Sequence, residues 1–235
     1  NSFALTDIGR KRKINQDEFL KDDALGLYIV ADGMGGHRGG EVASRLAVEV
    51  IQAFCKENKT MSPRERLDKG INLSCREIHK EAATHEELAG MGTTVVAMLV
   101  DGDVAYFGQV GDSRAYFLQE NGLWQVTEDH SLMNEELRAG RLSREQAHTY
   151  QFKNVITRSV GYEDHVQVDV YRRKLKATDL FFLCTDGLSG MVENEEIKEH
   201  IGKHGPEAGL KALIALANSR GGDDNITALI CQVAA

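Results

Sequence analysis

The sequence predicts an α+β chain in which helices cover antiparallel sheets. Several short apolar runs have the length of strands, and two junctions between them carry the hairpin dipeptides Asp101-Gly102 and Asn121-Gly122. The long helical patterns fall in two blocks, with most of the strands between them. Strand and helix do not alternate strictly, which disfavours a doubly wound parallel sheet.

The elements follow in order. Gly26–Ala31 is a buried strand that ends on Asp32, and five of the next eight residues are Gly. A helix follows over Glu41–Lys56, where Val42, Leu46, Val50 and Phe54 recur every four residues as one apolar stripe. A second helix spans Pro63–Thr84, with Pro at its first position. Strands are expected over Thr93–Val100, Val104–Val110 and Arg114–Gln119. The segment Asp129–Val160 is polar and weakly periodic, with short helices around Leu132–Arg138 and after Ser143. It is an excursion from the sheet, with the length and polarity of a recognition flap or a surface insertion. Val166–Tyr171 and Leu180–Cys184 are further strands, followed by helices over Glu193–His204 and Pro206–Arg220 and a last strand over Ile226–Val233. Leu210, Leu213, Ile214 and Ala217 give the last helix its apolar face. No repeat and no Pro/Ser-rich linker divides residues 1–235, so the expectation is a single domain.

Composition narrows the function. The chain is 42% hydrophobic and 27% charged, with a formal net charge of −8, which gives no electrostatic support to nucleic-acid binding. No apolar run approaches the ~20 residues of a transmembrane helix, and no signal peptide is visible. Four cysteines, Cys55, Cys75, Cys184 and Cys231, form no C-x-x-C pair and suit a reducing, cytoplasmic compartment. The chain opens on Asn1 rather than Met, as the catalytic domain of a longer protein would.

The acidic residues are placed unevenly. Asp32, Asp112 and Asp186 each follow an apolar strand, and Asp224 comes just before one. Asp beside Gly at a strand end is usually a turn. Four such cases abutting apolar strands suggest instead that strand ends bring carboxylates together. Carboxylates in contact repel and resist desolvation, and divalent cations are the common remedy. An oxygen-only donor set without a Cys/His cluster points to Mg²⁺ or Mn²⁺ rather than Zn²⁺. Upstream, Asp17 follows the basic run Arg10-Lys11-Arg12-Lys13, where a guanidinium could fork onto a phosphate.

In order along the chain stand "GRKRKINQDEF", "VADGMGGHRGGEVAS", "GMGTTVVAML", "VGDSRAY", "EDHSL", "NVITRSVG", "CTDGLSGMV" and "GGDDNIT". Together these motifs resemble the type 2C metal-dependent serine/threonine protein phosphatases in their bacterial form. The resemblance implies a four-layer α-β-β-α sandwich, two stacked antiparallel sheets flanked by helices. It implies hydrolysis of phosphoserine and phosphothreonine in proteins by water activated at a binuclear Mn²⁺/Mg²⁺ centre, with no phospho-enzyme. By motif match Asp32 would bridge both ions, the Gly33 carbonyl would bind one, and Asp186 and Asp224 would complete the protein ligands. Asp17 would hold metal waters from a second shell, Asp112 with Asp186 would supply a weaker third site, and Arg12 would bind the substrate phosphate. The partners implied are phosphorylated proteins, including substrates of a serine/threonine kinase and the kinase itself, engaged by a monomer.

Two positions depart from relatives. Gln16 stands where some relatives have Glu. Met34 stands where eukaryotic members have a His proposed as general acid, and Met cannot transfer a proton. His37, three residues on, is expected to be structural at the helix start, which leaves the acid unassigned. Other phosphatase chemistries fit less well. No cysteine has Arg six positions later, as a Cys-x5-Arg nucleophile requires, and "LVDGDVA" ends on Ala105 where an aspartate-nucleophile motif needs Thr or Val.

Overall fold

The computed structural model describes residues 1–233 apart from 37, 120, 121, 148 and 178. His37 and the Asn121 turn therefore lie outside the described residues. The strands are β1 (Ser2–Asp7), β2 (Asp17–Asp22), β3 (Leu27–Met34), β4 (Gly92–Thr93), β5 (Val95–Asp101), β6 (Val104–Val110), β7 (Arg114–Gln119), β8 (Gly122–Gln125), β9 (Asp169–Lys174), β10 (Leu180–Cys184) and β11 (Ile226–Gln232). The helices are α1 (Gly39–Glu57), α2 (Pro63–Thr84), α3 (Leu132–Arg138), α4 (Arg144–Ala147), α5 (Asp186–Ser189) and α6 (Asn194–Ser219).

Two antiparallel sheets result. One runs β1-β11-β10-β7-β8; the other runs β2-β3-β5-β6-β9, with β4 paired to β3. Side-chain alternation builds four layers from them. Leu27, Ile29 and Ala31 of β3 and Val95, Ala97 and Leu99 of β5 pack under Ala43, Ala47, Ile51, Leu67 and Ile71 of α1 and α2. Their neighbours Tyr28, Val30, Val96 and Met98 face the other sheet and meet Phe181, Leu183 and Leu229. On the far side Phe182, Ala228 and Ile230 pack against Leu210, Leu213 and Ala217 of α6. The central strands are apolar on both faces because both faces are covered.

Several boundaries differ from expectation for physical reasons. The α1 stripe of Val42, Leu46, Val50 and Phe54 is only half-buried; the covered face is Ala43, Ala47, Val48, Ile51 and Cys55. Small residues at Ala43 and Ala47 let the helix lie close on the sheet, and the larger residues flank that contact. Val166 precedes β9 rather than opening it. It is apolar because it packs with α2, and its N–H donates to Asn72 Oδ1. The two expected C-terminal helices form one element, α6, broken at Gly205 (φ 77°), with Pro206 opening the second part. α2 begins as expected: Ser62 and Glu65 make a reciprocal capping box ahead of Pro63. Asp101-Gly102 is the expected hairpin turn, with Gly102 at φ 57°. The excursion 129–160 leaves between β8 and β9, and its base is closed by the Ser131–Ile156 bridge. Among the described residues no helix is long and apolar enough to cross a membrane. All four cysteines are buried and unpaired.

Candidate active site

One end of the sandwich gathers the candidate carboxylates from both sheets. Asp17 opens β2 and stands directly across from Asp32 of β3 in the antiparallel register. Like charges opposite one another on paired strands destabilise a sheet. From the other sheet, Asp186 follows β10 as the first residue of α5, and Asp224 lies just ahead of β11. Thr185 spans the two sheets, donating from Oγ1 to Asp17 Oδ2 at 3.0 Å.

The main chain around Asp32 is fixed from several sides. Its N–H donates to Thr94 Oγ1 at 3.0 Å, and its carbonyl accepts from Thr94 N–H and Thr93 Oγ1, each at 2.9 Å. Gly33 follows, and its N–H donates to the Gln16 carbonyl at 3.0 Å. A Cβ on Gly33 would stand 2.0 Å from the Gly40 carbonyl oxygen, so only glycine lets α1 begin this close to β3.

The electrostatics of the basin follow from burial and from the closeness of its carboxylates. Burial pushes the Asp17 carboxyl up to about 7, with Asp186 and Asp224 adding repulsion against hydrogen bonds from Thr227 and Thr185. Burial and the neighbouring Asp17 and Asp186 hold Asp32 well above the usual carboxylate range. Asp186 is raised mainly by burial and lies within hydrogen-bonding reach of Asp32. Asp112 is pushed up to about 7 by burial, then by Asp186 and Asp129. Asp17 Oδ1 and Asp186 Oδ1 are buried with no hydrogen-bond partner among the described residues. Such orphaned, mutually repelling oxygens suit a hard divalent cation, and the Mn²⁺ or Mg²⁺ expectation fits this donor set. Among the described residues no three acidic, histidine or cysteine side chains close on one point as a finished cage.

Arg12 reaches the basin from the loop between β1 and β2, and its Nη2 donates to Asp224 Oδ2 at 2.7 Å. Lys11 pairs with Asp223 at 2.6 Å. Asn225, 4% exposed, clamps this loop. Its Nδ2 donates to the Ile8 and Ile14 carbonyls, each at 3.0 Å, and its Oδ1 accepts from Gln16 N–H at 2.8 Å. Asn225 was not among the sequence candidates, although "GGDDNIT" contains it. Nothing local in the sequence marks it, since its partners Ile8 and Ile14 lie more than 200 residues away. A cleft of about 270 Å³ runs from Asp112 and Asp186 to Met133, Lys153 and Asn154 of the excursion. Arg114 forks onto Asp129 at its rim, with Nη2 2.6 Å from Oδ2.

Comparison with known proteins agrees with this architecture. Residues 9–206 match the family model described as protein phosphatase 2C. The serine/threonine phosphatase stp of Listeria welshimeri is 40% identical over 235 residues, spanning 97% of this chain and 93% of that protein. The crystal structure of the Mycobacterium tuberculosis serine/threonine phosphatase PstP/Ppp has a TM-score of 0.94 at 31% identity, covering 100% of this chain and 99% of that one. A structure of the PstP catalytic domain in complex with two manganese ions has a TM-score of 0.91 at 31% identity, covering 100% and 98%. The class so defined is a metal-dependent protein serine/threonine phosphatase. The chain belongs to the protein phosphatase 2C family.

Proposed function

We propose that this chain hydrolyses phosphoserine and phosphothreonine in proteins at a two-ion Mn²⁺ or Mg²⁺ centre, opposing a serine/threonine kinase. The observation that carries the reading is the facing of the Asp17–Asp32 pair by Asp186 and Asp224 from the other sheet, with orphaned oxygens on Asp17 and Asp186. Asp32, the Gly33 carbonyl, Asp186 and Asp224 would hold the two ions, and Asp112 with Asp186 a weaker third. When bound, the cations supply charge neutralisation at the phosphoryl oxygens and activation of water as nucleophile. Asp17, fixed by Thr185, orients water at the edge of the basin. Arg12 leaves Asp224 to fork onto two phosphate oxygens, a geometry its guanidinium matches. Thr93, Thr94 and the Gly33–Gly40 contact keep Asp32 from shifting during attack. Attack by water is direct, without a phospho-enzyme. Residues 1–235 act as one monomeric catalytic domain in the cytoplasm, without nucleic-acid binding or membrane insertion, and the 129–160 flap meets the substrate protein.

The test is hydrolysis of p-nitrophenyl phosphate and of a phosphothreonine peptide with Mn²⁺, with and without EDTA. Asp32→Asn and Asp224→Asn should each lower kcat by about 10²-fold or more while circular dichroism stays unchanged. Full activity in either variant would overturn the ligand assignment.

A further inference from the structure

The 129–160 excursion departs and returns beside the Gly111–Asp112 turn, and one buried residue bonds, through its main chain and its ring, to the segments that meet there. His130 is 6% exposed. Its N–H donates to the Gly111 carbonyl at 3.0 Å, and its own carbonyl accepts from Thr157 N–H at 2.8 Å. Gly111 N–H in turn donates to His130 Nδ1 at 3.1 Å. A main-chain N–H can only donate, so Nδ1 carries the lone pair and Nε2 the hydrogen. Nε2 donates to Asp169 Oδ2 at 3.1 Å. Arg158 Nη1 donates to Asp169 Oδ1 at 3.1 Å and lies 3.2 Å from the same ring nitrogen. The imidazole is thus held in one tautomer and one orientation.

The turn it grips has little freedom of its own. Gly111 sits at φ 100°, and a Cβ there would stand 2.6 Å from Thr94 Cβ. Thr94 is the residue that binds the Asp32 main chain. The ring therefore joins the turn that presents Asp112 to the sheet edge at Asp169 in β9, while the His130 main chain holds the returning limb at Thr157, and Arg158 joins them by donating to Asp169.

We infer that His130, oriented by Asp169, which Arg158 in turn holds, is a positioning residue that locks the Gly111–Asp112 turn to the base of the 129–160 excursion. Asp112 and the flap wall of the cleft then move as one body. The inference rests on the reading of Asp112 as a carboxylate of the site.

The test combines amide hydrogen exchange at Gly111 with kinetics on p-nitrophenyl phosphate. In His130→Ala the Gly111 amide should exchange about tenfold faster. Its kcat should fall about tenfold, with KM within about twofold because Arg12 is untouched. His130→Asn keeps an acceptor near the Nδ1 position and should recover protection and kcat. His130→Gln reaches only the Asp169 side and should not. If His130→Ala fails to fold, Asp169→Ala, on the solvent side of the pair, should still speed Gly111 exchange. Gly111 exchange at the wild-type rate, in whichever of His130→Ala or Asp169→Ala is folded, overturns the inference, and so does equal rescue by Asn and Gln. Asp112→Asn with wild-type kcat would remove Asp112 from the reaction, while Gly111 exchange would still judge the clamp.

Discussion

Asp17 illustrates a residue whose placement opposes stability. It is buried, faces Asp32 across the strand pair, and leaves Oδ1 without a partner among the described residues. Packing alone would favour a neutral group here. Asp17→Asn should therefore raise the melting temperature of the metal-free protein while weakening Mn²⁺ binding about 10–100-fold. Thermal melts and titration calorimetry read the two effects, and a lower metal-free melting temperature with unchanged affinity would remove Asp17 from the metal environment. Arg12 behaves differently, because half of its side chain is exposed. Arg12→Ala should raise KM for a phosphopeptide about 10–100-fold, the range for a lost charged hydrogen bond. An unchanged KM in steady-state kinetics would exclude phosphate binding there.

At the level of elements, the loop between β1 and β2 depends on one side chain from the far end of the sequence. Asn225→Ala would leave the Ile8 and Ile14 carbonyls and the Gln16 N–H without their partner, a loss of about 1–3 kcal/mol. Denaturant unfolding should show that loss, and KM should rise more than kcat falls because Arg12 rides on the loop. Equal stability of the variant would show the clamp to be redundant. The same region marks how far the sequence could be read. Strands covered on both faces, such as β3, β5, β10 and β11, are continuous apolar runs and were legible. β2, "DEFLKD", is an edge strand whose charges discourage pairing with other chains, and it gives no such signal. β1 is likewise an edge strand with only partial burial, and it was missed. For the site, Asp32, Asp112, Asp186 and Asp224 were legible because each abuts an apolar run. The Asp17–Asp32 register was not, since it depends on the unread β2. His130 and Asn225 were not either, because their roles rest on contacts 19 and more than 200 residues away in sequence.

Across the whole molecule, the raised carboxyls link protonation, metal and stability. Asp17 and Asp112 hold their protons up to about 7 in the folded state. An unfolded chain releases them near about 3.9. Between those values the native state binds more protons, so this cluster's contribution to stability falls as pH rises from about 4 to 7. Cations held by the ionised carboxylates would lift that penalty, and protons would compete with them below pH 7. Added Mn²⁺ should therefore raise the melting temperature more at pH 8 than at pH 6. Differential scanning fluorimetry with and without the ion measures this, and an equal rise at both pH values would dissociate the raised carboxyls from the binding site.

The carboxylates arrive in pairs, Asp17 and Asp32 on one layer, Asp186 and Asp224 on the other. Among the described residues no backbone ladder joins those layers, and apolar side chains fill the seam between them. Ions held by Asp32 from one layer and by Asp186 and Asp224 from the other would act as rivets through this seam at one end. Starving the protein of metal would then leave that end tied by hydrogen bonds such as Thr185–Asp17 and Asn225–Gln16, so that supply of the ion would govern the stiffness of the catalytic frame as well as the chemistry done upon it.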